Sequence, residues 1–172
     1  MCLKQSIDAL AISLPSLVSK YSNVHKIYSH IQSAISESFV IKEISEISYK
    51  GSYNLESETI TIKSDLDEVL KIRTLLHETA HALDFTMAPI VNIPRNQHEL
   101  IAESSAYIVL QKMGFDTTIY SVNYLKSWMT DNKELTAILQ RIHEISYRMI
   151  MLLAEADASA FSITKESEEK TT

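Results

Sequence analysis

A chain of 172 residues, of which 45% are hydrophobic and 22% charged, has the size and composition of one folded domain. Its two glycines and three prolines allow few tight turns, which disfavours a β-sandwich or barrel and favours helices. The formal net charge of -6, without clustered Lys or Arg, provides no basic track for a phosphate backbone. We therefore do not expect nucleic acid to be the partner.

The cysteine content and the lengths of the apolar runs bear on the cellular compartment of the protein. The only cysteine, Cys2, excludes an intramolecular disulfide and a cysteine-ligated zinc knuckle. No apolar run reaches the roughly 18 residues of a membrane span, and the N-terminus lacks a signal-peptide pattern. We expect a cytoplasmic protein without a membrane span, whose oligomeric state the sequence does not predict.

The sequence pattern of the N-terminal third predicts helices followed by a small sheet. Residues 1–38 form an N-terminal segment with helical apolar spacing, which Pro15 divides into two helices. Residues 39–64 are strand-like, with polar and β-branched or aromatic residues in Ile44–Tyr49 and again in Thr59–Lys63. Turn chemistry at Gly51 and at residues 54–57 predicts an antiparallel sheet of two or three strands.

The rest of the chain is predicted to be helical as far as residue 156. Cap-type residues and carboxylates from Ser64 to Glu68 predict a helix that ends near Phe85. Three further helices are predicted at 97–113 (before Gly114), 119–129 and 131–156. Residues 1–156 then form a single domain, and 157–172 a polar, disordered tail.

The most informative motif is His77-Glu78-Thr79-Ala80-His81, in the middle of the helix that starts near Ser64. Histidines at positions i and i+4 share a helix face, so both imidazoles can bind one Zn²⁺ while Glu78 acts on a water molecule. The alternative is that the two histidines are structural and form hydrogen bonds with polar groups within a core helix. We favour the zinc site, with one ion per chain.

A catalytic zinc site takes a third protein ligand and leaves one position open for water. Glu103, on the next helix, is our leading candidate, and Glu99 or His98, about one turn earlier, are the alternatives. If Glu99 is not a ligand, we expect it to be an exposed carboxylate or to form a hydrogen bond with one of the metal ligands without binding the metal itself. Asp84 could orient a ligand imidazole by accepting its free N–H, and the alternative is that it is an ordinary surface carboxylate. Tyr107 could donate a hydrogen bond to an oxyanion, and the alternative is that it packs in the core.

Around this motif the chain resembles the zincin-like metallopeptidase domain of ArdC-type antirestriction proteins, and more distantly the ImmA/IrrE peptidases. The resemblance rests on segments in the same order between residues 51 and 153: a hairpin (51–62), the helix 75–83, the segment 99–107, the segment 124–128 and a final long helix. It implies an α+β zincin-like fold, mainly helical with a small antiparallel sheet. It also implies that His77, His81 and Glu103 bind zinc and that Glu78 is the general base.

The resulting hypothesis is a zinc metallopeptidase of the HExxH, gluzincin-like type that hydrolyses peptide bonds of a protein substrate and is encoded by a phage, plasmid or other mobile element. ArdC-type proteins carry a separate single-stranded-DNA-binding domain, whereas residues 1–38 are too few and too helical to form one. The alternative is a zincin scaffold with little or no turnover that binds a host or phage protein in an antirestriction or anti-defence role. Glu78 favours the enzyme, because a module that needs only the metal has no use for a base.

Overall fold

The structure is a computed structural model that describes residues 23–87, 93–115 and 132–169, with the side chains of the last range described only at 135–156. Four helices occur in these ranges: α1 (Val24–Ser36), α2 (Glu68–Thr86), α3 (Arg95–Lys112) and α4 (Asn132–Glu169). Three strands lie between α1 and α2: β1 (Val40–Ile44), β2 (Gly51–Asn54) and β3 (Thr59–Lys63). The α+β class is therefore as predicted. The predictions for residues 1–22 and for a helix at 119–129 lie outside the described residues.

Helix α2 is the centre of the fold. It packs against α1, α3 and α4 and against strands β2 and β3. The predicted start is confirmed, since the Asp67 side chain caps the helix by accepting a hydrogen bond from the Leu70 N–H. Ile72, Leu75 and Leu76 are fully buried, as isoleucines Ile60 and Ile62 of β3 are. The helix that carries the motif is thus held by the core on nearly all sides.

The sheet is mixed, so the prediction of an antiparallel sheet is wrong in part. Its strand order is β1-β3-β2, with β2 antiparallel and β1 parallel to the central strand β3. Turn chemistry predicts only pairs of strands joined by a tight turn, as β2 and β3 are. Strand β1 instead pairs with the far edge of β3, an arrangement that no local sequence signal predicts.

The strand predicted at Ile44–Tyr49 is displaced. Residues 45–50 form bends, and the strands on either side are Val40–Ile44 and Gly51–Asn54. Ile44 and Ile47 are three residues apart, so they cannot share one face of a strand, and Ile44 and Tyr49 remain 40% and 48% exposed. The isoleucines of this segment therefore do not mark strand alternation.

The long C-terminal helix continues past its predicted end. Helix α4 runs to Glu169 rather than stopping near Ala156, and the sequence between these residues contains neither glycine nor proline. The end of α3 agrees with prediction, because Gly114 follows it with a φ of 91°, in the left-handed region. No helix in the described ranges combines the length and apolar composition needed to cross a membrane.

Candidate metal and catalytic site

Helix α2 places the two motif histidines on one face, as their spacing predicts. The Nε2 atoms of His77 and His81 lie 3.1 Å apart, and the two rings are nearly perpendicular. Their side chains are 21% and 13% exposed, so the rings are packed by neighbours and still reach solvent. This arrangement leaves two nitrogen atoms pointing into the same space.

Glu99 on α3 supplies a third atom to that space. One carboxylate oxygen, Oε2, lies 3.4 Å from Nε2 of His77 and 3.5 Å from Nε2 of His81. The group formed by His77, His81 and Glu99 can therefore hold a metal ion. Ligand atoms about 2.0–2.1 Å from one tetrahedral ion are about 3.3–3.4 Å from each other, which is close to the spacing of these three atoms.

Glu103, the predicted third ligand, lies behind His77 instead. Its Oε2 is 3.3 Å from Nδ1 of His77, the ring nitrogen on the opposite side from Glu99. Its other oxygen accepts a hydrogen bond from Arg73 of α2. The hydrogen bond to His77 and the charge of Arg73 hold the pKa of Glu103 below its ordinary value, against the effect of burial. A carboxylate here fixes the proton of His77 on Nδ1 and leaves Nε2 as an acceptor.

Glu78 lies on the side of α2 that faces strand β2. It is 7% exposed, and its carboxylate accepts a hydrogen bond from the backbone N–H of Tyr53. Burial raises the pKa of Glu78 to about 7, with the negative charge of Glu99 adding to the effect and His77 opposing it. A carboxyl group whose pKa is near neutrality can both accept and donate a proton under ordinary conditions.

The two histidines are perturbed in opposite directions. Burial lowers the pKa of His77, but the hydrogen bond to Glu103 and the charges of Glu78, Glu103 and Glu99 outweigh burial and raise it. Burial, followed by repulsion from His77, lowers the pKa of His81. The metal-free site therefore keeps a proton on His77 to higher pH than an ordinary histidine would.

This proton makes metal binding pH-dependent. His77 binds a metal only as a neutral ring, so we expect Zn²⁺ affinity to fall by up to about tenfold per pH unit as the pH drops below the raised pKa of His77. Isothermal titration at pH 6, 7 and 8 measures this dependence. In the control variant Glu103→Gln, which removes one of the charges that raise the pKa of His77, the fall should begin at lower pH. Equal affinities across this range would contradict the description of the site.

Asp84 orients a histidine, but not one of the pair on α2. It is 3% exposed, which excludes the surface-carboxylate alternative. Its Oδ2 lies 2.6 Å from Nδ1 of His98, and its Oδ1 accepts a hydrogen bond from Arg141 Nε at 2.7 Å. This network joins α2, α3 and α4 directly beside Glu99. Tyr107 lines neither of the two cavities at the site and so is not brought to it in the described structure.

Three contributors to the site were not predicted for it. Arg73 lies four residues before His77 and Phe85 four residues after His81, so the helical spacing that relates the two histidines also places both on this face. Gly51 was interpreted as a turn residue. It instead allows β2 to approach α2, because a Cβ there would lie 2.5 Å from Thr74 Cγ2 and 3.0 Å from Glu78 Cγ.

A methyl group at Gly51 should therefore be costly. We expect Gly51→Ala to lower the free energy of unfolding by about 1–3 kcal/mol, because β2 and α2 must separate to accept it. Urea denaturation followed by circular dichroism measures this loss, and Ser52→Ala, at the neighbouring position of the same strand, is the matched control. A variant as stable as the parent would show that the close approach of β2 to α2 is not needed.

Comparison with family models, curated proteins and solved structures finds no significant match for this chain. The site must therefore be interpreted from its own chemistry: two imidazole nitrogens and one carboxylate oxygen around a common point, with a buried carboxyl group next to them.

Proposed function

We propose that the protein is a zinc-dependent peptidase. The observation that carries this proposal is the spacing of 3.1–3.5 Å among Nε2 of His77, Nε2 of His81 and Oε2 of Glu99. Three acceptor atoms turned toward one another in this way are suited to a cation. Glu78, next to them in the sequence and buried, adds the group that hydrolysis requires.

The donor set favours zinc among the common metal ions. Calcium and magnesium prefer sites made of oxygen atoms, whereas two imidazoles and one carboxylate in a tetrahedral arrangement are typical of catalytic zinc. His77, His81 and Glu99 would hold the ion, and Glu103 would support His77 from behind. The resemblance in sequence implied Glu103 as the third ligand. The proposal assigns that role to Glu99 instead, because its Oε2 lies near Nε2 of both histidines. When bound, zinc would activate water and polarise a carbonyl group.

Glu78 would move the protons in this reaction. It takes one proton from the attacking water, whose oxygen forms a bond to the peptide carbonyl carbon. It then delivers this proton to the departing nitrogen as the C–N bond breaks, so the products are an amine and a carboxylic acid, which releases the second proton of the water to solvent and becomes a carboxylate. A carboxyl group suits both steps, since it is charged when it accepts the proton and neutral when it donates it.

Strand β2 would bind the peptide. It lies at one edge of the sheet, and the N–H of Lys63 in β3 donates to the carbonyl of Lys50 at 2.8 Å. Because hydrogen-bonded pairs alternate along an antiparallel ladder, Gly51 and Tyr53 direct their backbone groups away from β3. The Tyr53 N–H already donates to Glu78. An extended peptide can pair with the backbone groups of Gly51 and with the Tyr53 carbonyl as a further strand, which brings its backbone alongside Glu78.

The proposal is tested with purified protein loaded with zinc. Elemental analysis should give about one zinc per chain for the parent and close to none for His81→Ala. A mixture of unfolded protein fragments, analysed by mass spectrometry, should be cleaved by the parent and not by His81→Ala. Zinc binding without any cleavage would favour the binding module over the enzyme, and absence of zinc would reject the zinc-dependent peptidase.

A further inference from the structure

Two cavities of different chemistry flank the site, and they share Gly51, His77 and Glu78 as a common wall. The larger, of about 700 Å³, opens on the side of His81 and Glu99. The smaller, of about 260 Å³, opens on the side of Glu103. A peptide that crosses this wall would therefore place one side chain in each cavity.

Aromatic rings line the larger cavity, together with the charged side chains of Arg95 and Glu99. Phe85 stacks on the rings of Tyr53, His81 and His98, at centroid distances of 6.4, 6.4 and 5.4 Å. It nevertheless remains 46% exposed, and Ile93 lines the same cavity. An exposed phenyl ring one helical turn from a metal ligand offers a surface for a large apolar side chain.

Charged side chains of both signs line the smaller cavity, and Lys50 stands at its open side. Lys50 and Arg73 are both at its wall, and Arg73 is held in place by Glu103. Lys50 is exposed, and no carboxylate among the described residues lies within 4 Å of its ammonium group. Glu78 and Glu103 line the same cavity, and the charge of Glu103 is opposite to that of Arg73, which it contacts. An acidic side chain in this cavity would therefore gain attraction chiefly from Lys50, which would repel a basic one.

The course of β2 orders the two cavities along a bound peptide. Lys50 and Gly51 line the smaller cavity, and Ser52 and Tyr53 the larger, so the strand runs from the side of Lys50 to the side of Phe85. Antiparallel pairing is the more stable arrangement per residue, and a peptide paired in this way runs in the opposite direction to β2. Its N-terminal part then meets Phe85 and its C-terminal part meets Lys50.

We propose that the site selects peptides with a large apolar side chain on the N-terminal side of the cleaved bond and an acidic side chain on its C-terminal side. This inference rests on the proposed peptidase function and names its substrate class. Phe85 and Lys50 are the residues that determine the specificity.

The test uses four peptides that differ only at the two central positions: Phe-Glu, Ala-Glu, Phe-Lys and Glu-Phe. Cleavage by the zinc-loaded parent is followed by mass spectrometry, and binding is measured by fluorescence anisotropy with the variant Glu78→Gln. We expect Phe-Glu to be preferred over Ala-Glu about tenfold and over Phe-Lys about fivefold, in both cleavage and binding. Glu-Phe should be cleaved least.

Two variants identify the residues responsible. Phe85→Ala should remove the preference for Phe over Ala, and Lys50→Glu should reverse the preference between Glu and Lys. Leu139→Ala, at an exposed apolar position on α4, and Lys42→Glu, on the opposite edge strand, are the matched controls and should keep both preferences.

The outcomes separate the inference from the proposed function. Cleavage of all four peptides at similar rates, or a preference for Glu-Phe, would overturn the inference and leave the peptidase in place. If no peptide were cleaved or bound, while unfolded fragments were still cleaved, the inference alone would fail. Failure on the fragments as well would overturn both.

Discussion

Glu99→Ala should abolish tight zinc binding, whereas Glu103→Ala should weaken it only about 10–100-fold. Glu99 places an oxygen atom within 3.5 Å of Nε2 of both His77 and His81, and Glu103 contacts only Nδ1 of His77. Removing a ligand opens the site, but removing a group that supports a ligand leaves all three donor atoms in place. Competition with a chromophoric chelator measures both affinities.

Each of these variants has a matched control. Glu103→Gln keeps a group that can accept a hydrogen bond from His77, so it should restore part of the affinity lost in Glu103→Ala. Circular dichroism of the metal-free variants checks that α3 is still folded. If Glu103→Ala released the zinc and Glu99→Ala retained it, the ligand assignment would be reversed to the one implied by the sequence resemblance.

Glu78→Gln should retain zinc and lose at least about 100-fold, and up to about 10,000-fold, of the peptidase activity. General acid–base catalysis contributes an effect of this size, and glutamine can neither accept nor deliver the proton. Glutamine has nearly the same shape as glutamate, so the packing beneath Gly51 and the hydrogen bond from Tyr53 can persist. Cleavage rates and zinc content are measured on the same preparation.

A matched comparison separates the base from the ligands. His77→Ala should lose both zinc and activity, whereas Glu78→Gln should lose only activity. Equal loss of zinc in the two variants would show that Glu78 is itself a ligand, and unchanged activity in Glu78→Gln would show that another group accepts the proton.

The part of the site that lies on α2 could be predicted from the sequence because helix geometry alone determines it. The spacing of His77 and His81 places them on one face wherever the helix lies. The third ligand depends on how α3 crosses α2, and Glu99 and Glu103 are one turn apart, so either can face the metal. Only the packed structure distinguishes them, and it turns Glu99 toward Nε2 and Glu103 toward Nδ1.

The same distinction between local and distant interactions explains which parts of the fold could be predicted from the sequence. Asp67 and Gly114, which act within a few residues, were predicted at the correct ends of their helices. The parallel pairing of β1 with β3 joins residues about 19 positions apart through backbone bonds, and no side-chain pattern encodes it. For the same reason Asp84 was predicted near a histidine but not near His98, which lies on another helix.

Anomalous diffraction at the zinc absorption edge, from crystals of the zinc-loaded protein, tests the central claim most directly. The account predicts one strong peak within about 2.0–2.2 Å of Nε2 of His77, Nε2 of His81 and a carboxylate oxygen of Glu99, with Glu103 on the far side of the His77 ring. A peak bound by Glu103 in place of Glu99, or crystals with no zinc between the two histidines, would contradict it.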